Sequence, residues 1–221
     1  MLPFIDIHNH HNIENNNNTV SIYSFFAQYY QKAINQTNGY YTIGLHPWHT
    51  NDVDINNALI KIEQIAILPN CIGIGEIGID HASTASINKQ LIAFEQQLLI
   101  AKKLQLPVII HNVRSLTEIL QIIKKIKFEY PVVFHGFTGK TEMAQQITNT
   151  RAYLSFGESL AHHNTAIKSV PSNNFFFETD ESEYTIQDIY NMASYKLNTP
   201  IESLKQIVYN NFTTVFTKYH A

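Results

Sequence analysis

His8 and His10 stand two residues apart at the end of the apolar run Phe4-Ile5-Asp6-Ile7. A strand alternates its side chains, so two imidazoles spaced this way face one side. That pairing suits two ligands on one metal ion. Four more residues sit in or end similar apolar runs: Glu76 within Cys71 to Ile79, His111 after Pro107-Val108-Ile109-Ile110, His135 after Pro131-Val132-Val133-Phe134, and Asp180 after Phe175-Phe176-Phe177-Glu178-Thr179. Singly, each has an ordinary alternative. His111 or His135 would serve as a core histidine, Asp180 as a helix N-cap, Glu76 as a buried ion-pair partner. The repetition carries the argument, because buried charge at a strand end is costly unless it is paired or bound to metal. Four imidazoles and two carboxylates exceed the needs of one ion. They suit two divalent ions bridged by a carboxylate, with Glu76, from a central strand, as the bridge. Imidazole mixed with carboxylate fits zinc, manganese or iron, and less usually magnesium. Two such ions about 4 Å apart can activate a water and clamp a phosphodiester or phosphomonoester.

The elements that must position these residues alternate. Strands are expected at 4–8, 19–24, 40–45, 71–79, 107–111, 131–136, 152–157 and 175–180, and helices at 25–35, 54–67, 87–104, 116–127, 141–148, 162–170, 186–197 and 201–219. The strands are continuous apolar runs, as expected where both faces of a parallel sheet are covered. About eight βα units in a chain of this length point to an α/β fold, a compact (β/α)8 TIM-like barrel, in which the C-terminal strand ends form the active-site mouth. A doubly wound open sheet is the alternative, but no G-x-G-x-x-G follows strand one. Residues 11–18 are polar and Asn-rich, and only about ten residues separate the first two strands. The first crossover helix is therefore expected to be shortened or missing. Gly73, Gly75 and Gly78 in strand four are costly unless the backbone turns or something approaches closely.

With 221 residues, 44% hydrophobic and 15% charged, the chain is expected to form one domain over 1–221. A net charge of −3 gives no general argument for nucleic-acid or membrane affinity. Cys71 is the single cysteine, which fits a reducing compartment. No stretch approaches the roughly 20 apolar residues of a membrane span, and the N-terminus opens into a strand without a leader pattern. A cytoplasmic protein with no membrane association and no obligate protein partner is expected.

The motifs Phe4-Ile5-Asp6-Ile7-His8-Asn9-His10, Gly44-Leu45-His46-Pro47, Ile74-Gly75-Glu76-Ile77-Gly78-Ile79-Asp80, Leu106-Pro107-Val108-Ile109-Ile110-His111, His135-Gly136-Phe137-Thr138-Gly139 and Glu178-Thr179-Asp180 together resemble the TatD family of metal-dependent deoxyribonucleases. Their order and spacing agree from residue 4 to 180. The resemblance implies a TIM-like barrel and a two-metal hydrolase. It implies that His8, His10, Glu76 and Asp180 hold one ion and that Glu76, His111 and His135 hold the second. Asp180 would also take a proton from the attacking water, with Glu76 as the other catalytic carboxylate. The chain departs from the family pattern in the loop after His10, in His111-Asn112-Val113-Arg114, where the arginine comes one place later, and in Glu181-Ser182-Glu183-Tyr184 after Asp180. Acids at 181 and 183 would repel a polyanion.

Arg114 is the candidate for holding a substrate phosphate, with a rim salt bridge as the alternative. His46 is a candidate substrate contact or a support for a ligand. Trp48 is a rim aromatic with a possible stacking role. Asp80 either orients a ligand histidine or caps a loop. Lys140 either faces a phosphate or is simply solvated. The function expected is phosphodiester or phosphomonoester hydrolysis, on nucleic acid or a small phosphoester, with two divalent ions of zinc, manganese, magnesium or iron. An amidohydrolase-like enzyme of C–N or C–O bonds is the alternative. Relatives of that kind often bridge their metals with a carboxylated lysine, and the corresponding strand-four position here carries Glu76.

Overall fold

The computed structural model describes residues 1–11, 18–34, 39–162 and 165–219. Eight strands run β1 (Phe4–Asn9), β2 (Thr19–Phe26), β3 (Tyr40–Gly44), β4 (Cys71–Asp80), β5 (Val108–Val113), β6 (Val132–Phe134), β7 (Tyr153–Phe156) and β8 (Phe175–Phe177), in one sheet in that order. Among the described residues, seven α-helices accompany them: α1 (Tyr30–Ile34), α2 (Ile55–Ala66), α3 (Ile87–Leu104), α4 (Leu116–Ile126), α5 (Thr141–Thr148), α6 (Ile186–Leu197) and α7 (Ile201–Val215). Consecutive neighbours joined through helices, with β1 meeting the end of β8 through a parallel bridge between Asn9 and Asp180, give the strand order of a (β/α)8 barrel.

The chain divides into two compact units. One comprises residues 1–23 and 133–217, the other 24–132 and 218–221. The first unit has an aromatic core: Phe134, Phe156, Phe176, Phe177, Phe212 and Phe216 are fully buried. Tyr190 of α6 joins them. Its ring meets Phe177 edge-on at 4.6 Å, and its hydroxyl accepts from the Ile5 amide at 3.2 Å. The hydroxyl thus keeps a partner in an apolar setting, as a buried tyrosine requires. Lys205 is also buried, with its ammonium 4.5 Å from the centre of the Phe4 ring and 3.3 Å from Glu202.

The core of the second unit is aliphatic, built from Ile43, Ile62, Ile72, Ile74, Ile77, Ile109 and Ile110 with Phe94 and Leu98 of α3. Every residue of β4 is buried, which explains why it reads as an unbroken apolar run rather than an alternating one. The glycines of β4 are explained by close approach. A Cβ on Gly78, whose φ is +155°, would lie 1.9 Å from the His111 carbonyl oxygen, and one on Gly75 would lie 2.8 Å from the Ile109 Cβ. Only glycine lets β4 and β5 pack this tightly, and the packing sets Glu76 beside His111.

Several elements differ from the sequence expectation. β2 continues to Phe26, so the helix expected at 25–35 shrinks to a 3-10 turn at 27–29 and α1. The β-branched and aromatic run 19–26 favours strand over its whole length. Among the described residues of 162–170, where a helix was expected, only a 3-10 turn at Ala166–Ser169 forms, and another such turn, Glu158–Ala161, precedes the stretch. β8 stops at Phe177, so Glu178 to Asp180 follow the strand rather than end it. The connection between β1 and β2, where the missing crossover helix was expected, lies mostly outside the described residues, as do His163 and His220.

Cys71 is fully buried, and its thiol is pushed up to about 12 by burial, which outweighs a hydrogen bond to the Gly73 carbonyl and the nearby Lys218 charge. Because the thiolate is the reactive form, the folded protein should resist iodoacetamide or a disulfide-exchange reagent at pH 8 and label stoichiometrically in urea. Rapid labelling of native protein would contradict this packing.

Candidate metal centre

Within the first unit, β1 supplies His8, the residues just past β1 and β6 are His10 and His135, and the turn after β8 supplies Asp180. Two backbone hydrogen bonds hold them: the Asp180 amide donates to the His8 carbonyl at 2.9 Å and the His10 amide to the Asp180 carbonyl at 3.4 Å. Asp180 has a φ of +51°, a left-handed conformation that is uncommon for an L-residue and concentrates at functional sites. The turn aims its carboxylate back at β1. Oδ1 of Asp180 lies 3.6 Å from Nε2 of His8 and 3.6 Å from Nε2 of His10. These separations are too long for hydrogen bonds. They match the edge of a tetrahedron of nitrogen and oxygen ligands about 2.1 Å from a central ion, which is about 3.4 Å. The rings of His8 and His135 stack at 4.3 Å, and donor atoms of His8, His135 and Asp180 all lie within 4.8 Å of one another. His8 is fully buried while the Asp180 side chain is 40% exposed. The cluster therefore runs from the interior out to solvent.

A floor of carboxylates lies beneath it. Asp6 accepts from the Thr179 amide at 3.1 Å and the Thr179 hydroxyl at 2.7 Å, which fixes the segment leading to Asp180. Burial, with a smaller contribution from the nearby Glu178, pushes its carboxyl up to about 7 despite these donors. Glu178 is fully buried and accepts from the Gly136 amide, with Oε1 3.6 Å from Nδ1 of His135. Sequence reading did not single out Asp6 or Glu178. The available signal was a carboxylate inside an apolar run, the same signal that marked Glu76.

Within the second unit, Glu76 from β4, His111 from β5 and His46, two residues past β3, form a second cluster with ligand atoms within 4.8 Å of one another. Oε1 of Glu76 lies 2.7 Å from Nδ1 of His111 and 3.1 Å from Nε2 of His46. The Trp48 amide donates to Nδ1 of His46 at 3.3 Å, so a neutral His46 carries its proton on Nε2 and donates it to Glu76. His46 thus positions Glu76. The other nitrogen of His111, Nε2, faces Oδ2 of Asp80 at 3.2 Å. Asp80 does both things considered for it. It orients His111, and its other oxygen caps the following loop by accepting from the Ala82 and Ser83 amides at 2.7 and 3.2 Å. Burial would raise the Asp80 carboxyl, but donors from Trp48, Ala82 and His111 together outweigh it and hold it below the usual carboxylate range. Trp48 is half exposed and donates its indole N–H to Asp80 at 2.6 Å, which fixes it at the rim. Arg114 is exposed just past β5 with a φ of +56°, and no carboxylate holds it among the described residues.

Two glutamines of α3 hold the strand ends that carry this cluster, a feature the sequence reading missed. Gln97 accepts from the Leu45 amide at 2.6 Å and donates to the Leu45 carbonyl at 3.2 Å. Gln90 accepts from the Asp80 amide at 2.8 Å and donates to the Asp80 carbonyl at 3.3 Å. The pair sits two helical turns apart on one buried face. Two amides on an otherwise apolar stripe were the signal.

Imidazoles and carboxylates at these spacings, with neighbouring groups fixing the rings, suit divalent metal ions. A model of the TatD related DNase family matches residues 6–217, and the chain belongs to that family, a class of metal-dependent hydrolases. The chain is 28% identical over 150 residues to the metal-dependent hydrolase YabD of Bacillus subtilis, a match covering 64% of this chain and 58% of that protein, less than two thirds of its length. It is 40% identical over 73 residues to the 3'-5' ssDNA/RNA exonuclease TatD of Rahnella sp., covering 32% of this chain and 27% of that one. Among solved structures, YJJV, a TatD homolog from Escherichia coli, superposes with a TM-score of 0.82 at 20% identity, over 97% of this chain and 98% of the other. That likeness confirms the TIM-like barrel fold. Among the described residues, no helix is long and apolar enough to cross a membrane.

Two substitutions check the supports. His46→Leu should lower metal-supported turnover about 10- to 100-fold, and His46→Gln, which keeps a donor near Glu76, should recover part of the loss at equal thermal stability. Equal activity of both variants and the parent would remove His46 from this role. Gln97→Leu should destabilise by about 1–3 kcal/mol, since it orphans the Leu45 amide and carbonyl. An unchanged melting temperature would contradict that.

Proposed function

We propose that the chain acts as one hydrolase domain over 1–221 that cleaves phosphodiester bonds, of nucleic acid or of a smaller phosphoester, at a site holding two divalent ions. The observation that carries the reading is the placement of Asp180 Oδ1 at 3.6 Å from both His8 and His10, a spacing suited to a shared ion and not to hydrogen bonds. His8, His10, Glu76 and Asp180 are the proposed ligands of one ion, and Glu76, His111 and His135 of the second. Support comes from the donor chemistry, from the location of all six at or just past the C-terminal parts of strands in a barrel fold, and from family membership. The ions, when bound, supply Lewis acidity toward a water and the phosphate oxygens.

The protein's own groups do the rest. Asp180 presents one oxygen to the two imidazoles and keeps a second from which to accept the proton of the attacking water. Glu76 is held by His46 and His111 and presents a fixed carboxylate. Arg114, free of carboxylate partners among the described residues and able to form two parallel hydrogen bonds, is the proposed contact to a substrate phosphate. Exposed Glu181 and Glu183, next to Asp180, disfavour a long polyanion packed against that side. Substrates with a single-stranded end or a small phosphodiester fit best. Glu76, rather than a lysine, at this β4 position argues against the amidohydrolase alternative.

Exhaustive chelation should abolish hydrolysis of bis-p-nitrophenyl phosphate, and Mn²⁺ or another divalent ion should restore it. No hydrolysis of any phosphoester at full metal occupancy would overturn the reading. Asp180→Asn should lower kcat by about 10²- to 10⁴-fold through loss of the proton acceptor, and unchanged turnover would remove Asp180 from that role.

A further inference from the structure

We infer that Trp48 is a positioning residue for the second donor cluster: its indole N–H holds Asp80, and through Asp80 it holds His111 in the orientation that turns Nδ1 toward Glu76. The inference rests on the two-ion reading above and extends it to a residue outside the six proposed ligands.

All of the residues concerned belong to the second unit. The local sequence puts Trp48 in place. His46 is the N-cap of a 3-10 turn, Pro47–His49, with Pro47 at its start and the Trp48 amide donating back to the His46 ring. The turn brings the Trp48 side chain to Asp80, the last residue of β4. The indole stands edge-on to the His46 ring at 4.7 Å and to the His111 ring at 6.0 Å, and those two imidazoles meet edge-on at 4.6 Å. His46 and Asp80 are buried and His111 is mostly so, whereas Trp48 is about half exposed. Trp48 is thus the outer member of the group.

Asp80 is the joint of the arrangement. A carboxylate offers about four lone-pair sites. Oδ1 accepts from the Ala82 and Ser83 amides, and Oδ2 accepts from Nε2 of His111 at 3.2 Å and from the indole N–H at 2.6 Å. The loop amides fix the first oxygen. The second is fixed chiefly by the indole, the shorter of its two contacts and one that can only donate. His111 gives Nε2 to this oxygen, which leaves Nδ1 facing Oε1 of Glu76 at 2.7 Å. An imidazole that binds an ion through one nitrogen needs the other tied to keep its ring orientation. Removing the indole donor would strip a partner from a buried carboxylate and loosen the point that ties His111. Trp48 also serves His46, but through its backbone amide. That contact survives a change of side chain, so the share of the indole can be tested by itself.

Trp48 is the only tryptophan in the chain. Biosynthetic replacement of tryptophan by benzothienylalanine, in which sulfur stands where the N–H was, therefore removes this one donor and keeps the shape of the ring. The test measures Zn²⁺ affinity of metal-stripped protein by competition with a chromophoric chelator, for the parent, the benzothienylalanine protein, Trp48→Phe and Trp48→Gln. In parallel, NMR of metal-free protein labelled with ¹⁵N-histidine follows the Nε2–H proton of His111, assigned by its absence from His111→Ala. The parent should bind two Zn²⁺ and show a sharp Nε2–H signal. The benzothienylalanine protein and Trp48→Phe should each weaken one of the two sites about 10- to 100-fold, leave the other at the parent affinity, and broaden the signal by faster exchange. Trp48→Gln, which keeps an N–H donor of similar reach, should recover part of both losses. A benzothienylalanine protein with the parent's affinity at both sites, or with an unchanged His111 signal, would overturn the inference. So would equal weakening of both sites, or a Trp48→Gln protein as weak as Trp48→Phe at the parent's melting temperature. A parent that binds fewer than two Zn²⁺, but loses the sharp His111 signal when the indole N–H is removed, would leave the positioning standing and overturn only the two-ion reading.

Discussion

The backbone pairing of β1 with residue 180 is the constraint on which the first donor cluster depends. Two hydrogen bonds, Asp180 to His8 and His10 to Asp180, join segments about 170 residues apart in the chain and fix the register between them. Register decides everything on a strand, because a slip of one residue would turn both imidazoles to the opposite face. The left-handed turn at Asp180 is tolerated because both of its flanking amide contacts are made, and the Asp6–Thr179 pair locks the approach from below. Local strain at this point is offset by long-range pairing.

A second theme is how buried carboxylates are kept. Each acidic group beneath the clusters is fixed by N–H or O–H donors: Asp6 by Thr179, Asp80 by Trp48 and two loop amides, Glu76 by His46, Glu178 by Gly136. The outcomes differ first with depth of burial and then with the number of donors. Asp80 collects enough to stay below the usual carboxylate range, whereas Asp6, deeper and with fewer, is pushed up to about 7. Buried imidazoles and carboxylates at this density are unfavourable for an isolated fold, and a bound cation is the economical way to offset them.

Much of this was legible in the sequence. The six candidate donors stand at or near the ends of apolar runs, and that repetition exposed the βα alternation that the fold carries out. Helices α3, α5 and α6 matched the expected bounds at both ends because their periodicity and flanking residues agree. What escaped the sequence depends on three-dimensional contacts. Spacing left two roles open for His46, and only the structure shows that its Nδ1 accepts from Trp48 while Nε2 faces Glu76. Gln90 and Gln97 look like solvent-facing residues until α3 packs them against two strand ends. The stretch 162–170 lacks a regular apolar period, and its described residues form a 3-10 turn at Ala166–Ser169 rather than the expected helix. The glycines of β4 announced a close approach, but only the β5 carbonyl beneath Gly78 shows what approaches.

The claim that all six donors serve bound metal is tested most directly by counting ions. Protein stripped with chelator, equilibrated with Zn²⁺ or Mn²⁺ by dialysis and analysed by mass spectrometry should hold two ions per chain. Asp180→Ala and His111→Ala should each hold close to one. Stoichiometry at or below one in the parent, or two in both variants, would contradict the account.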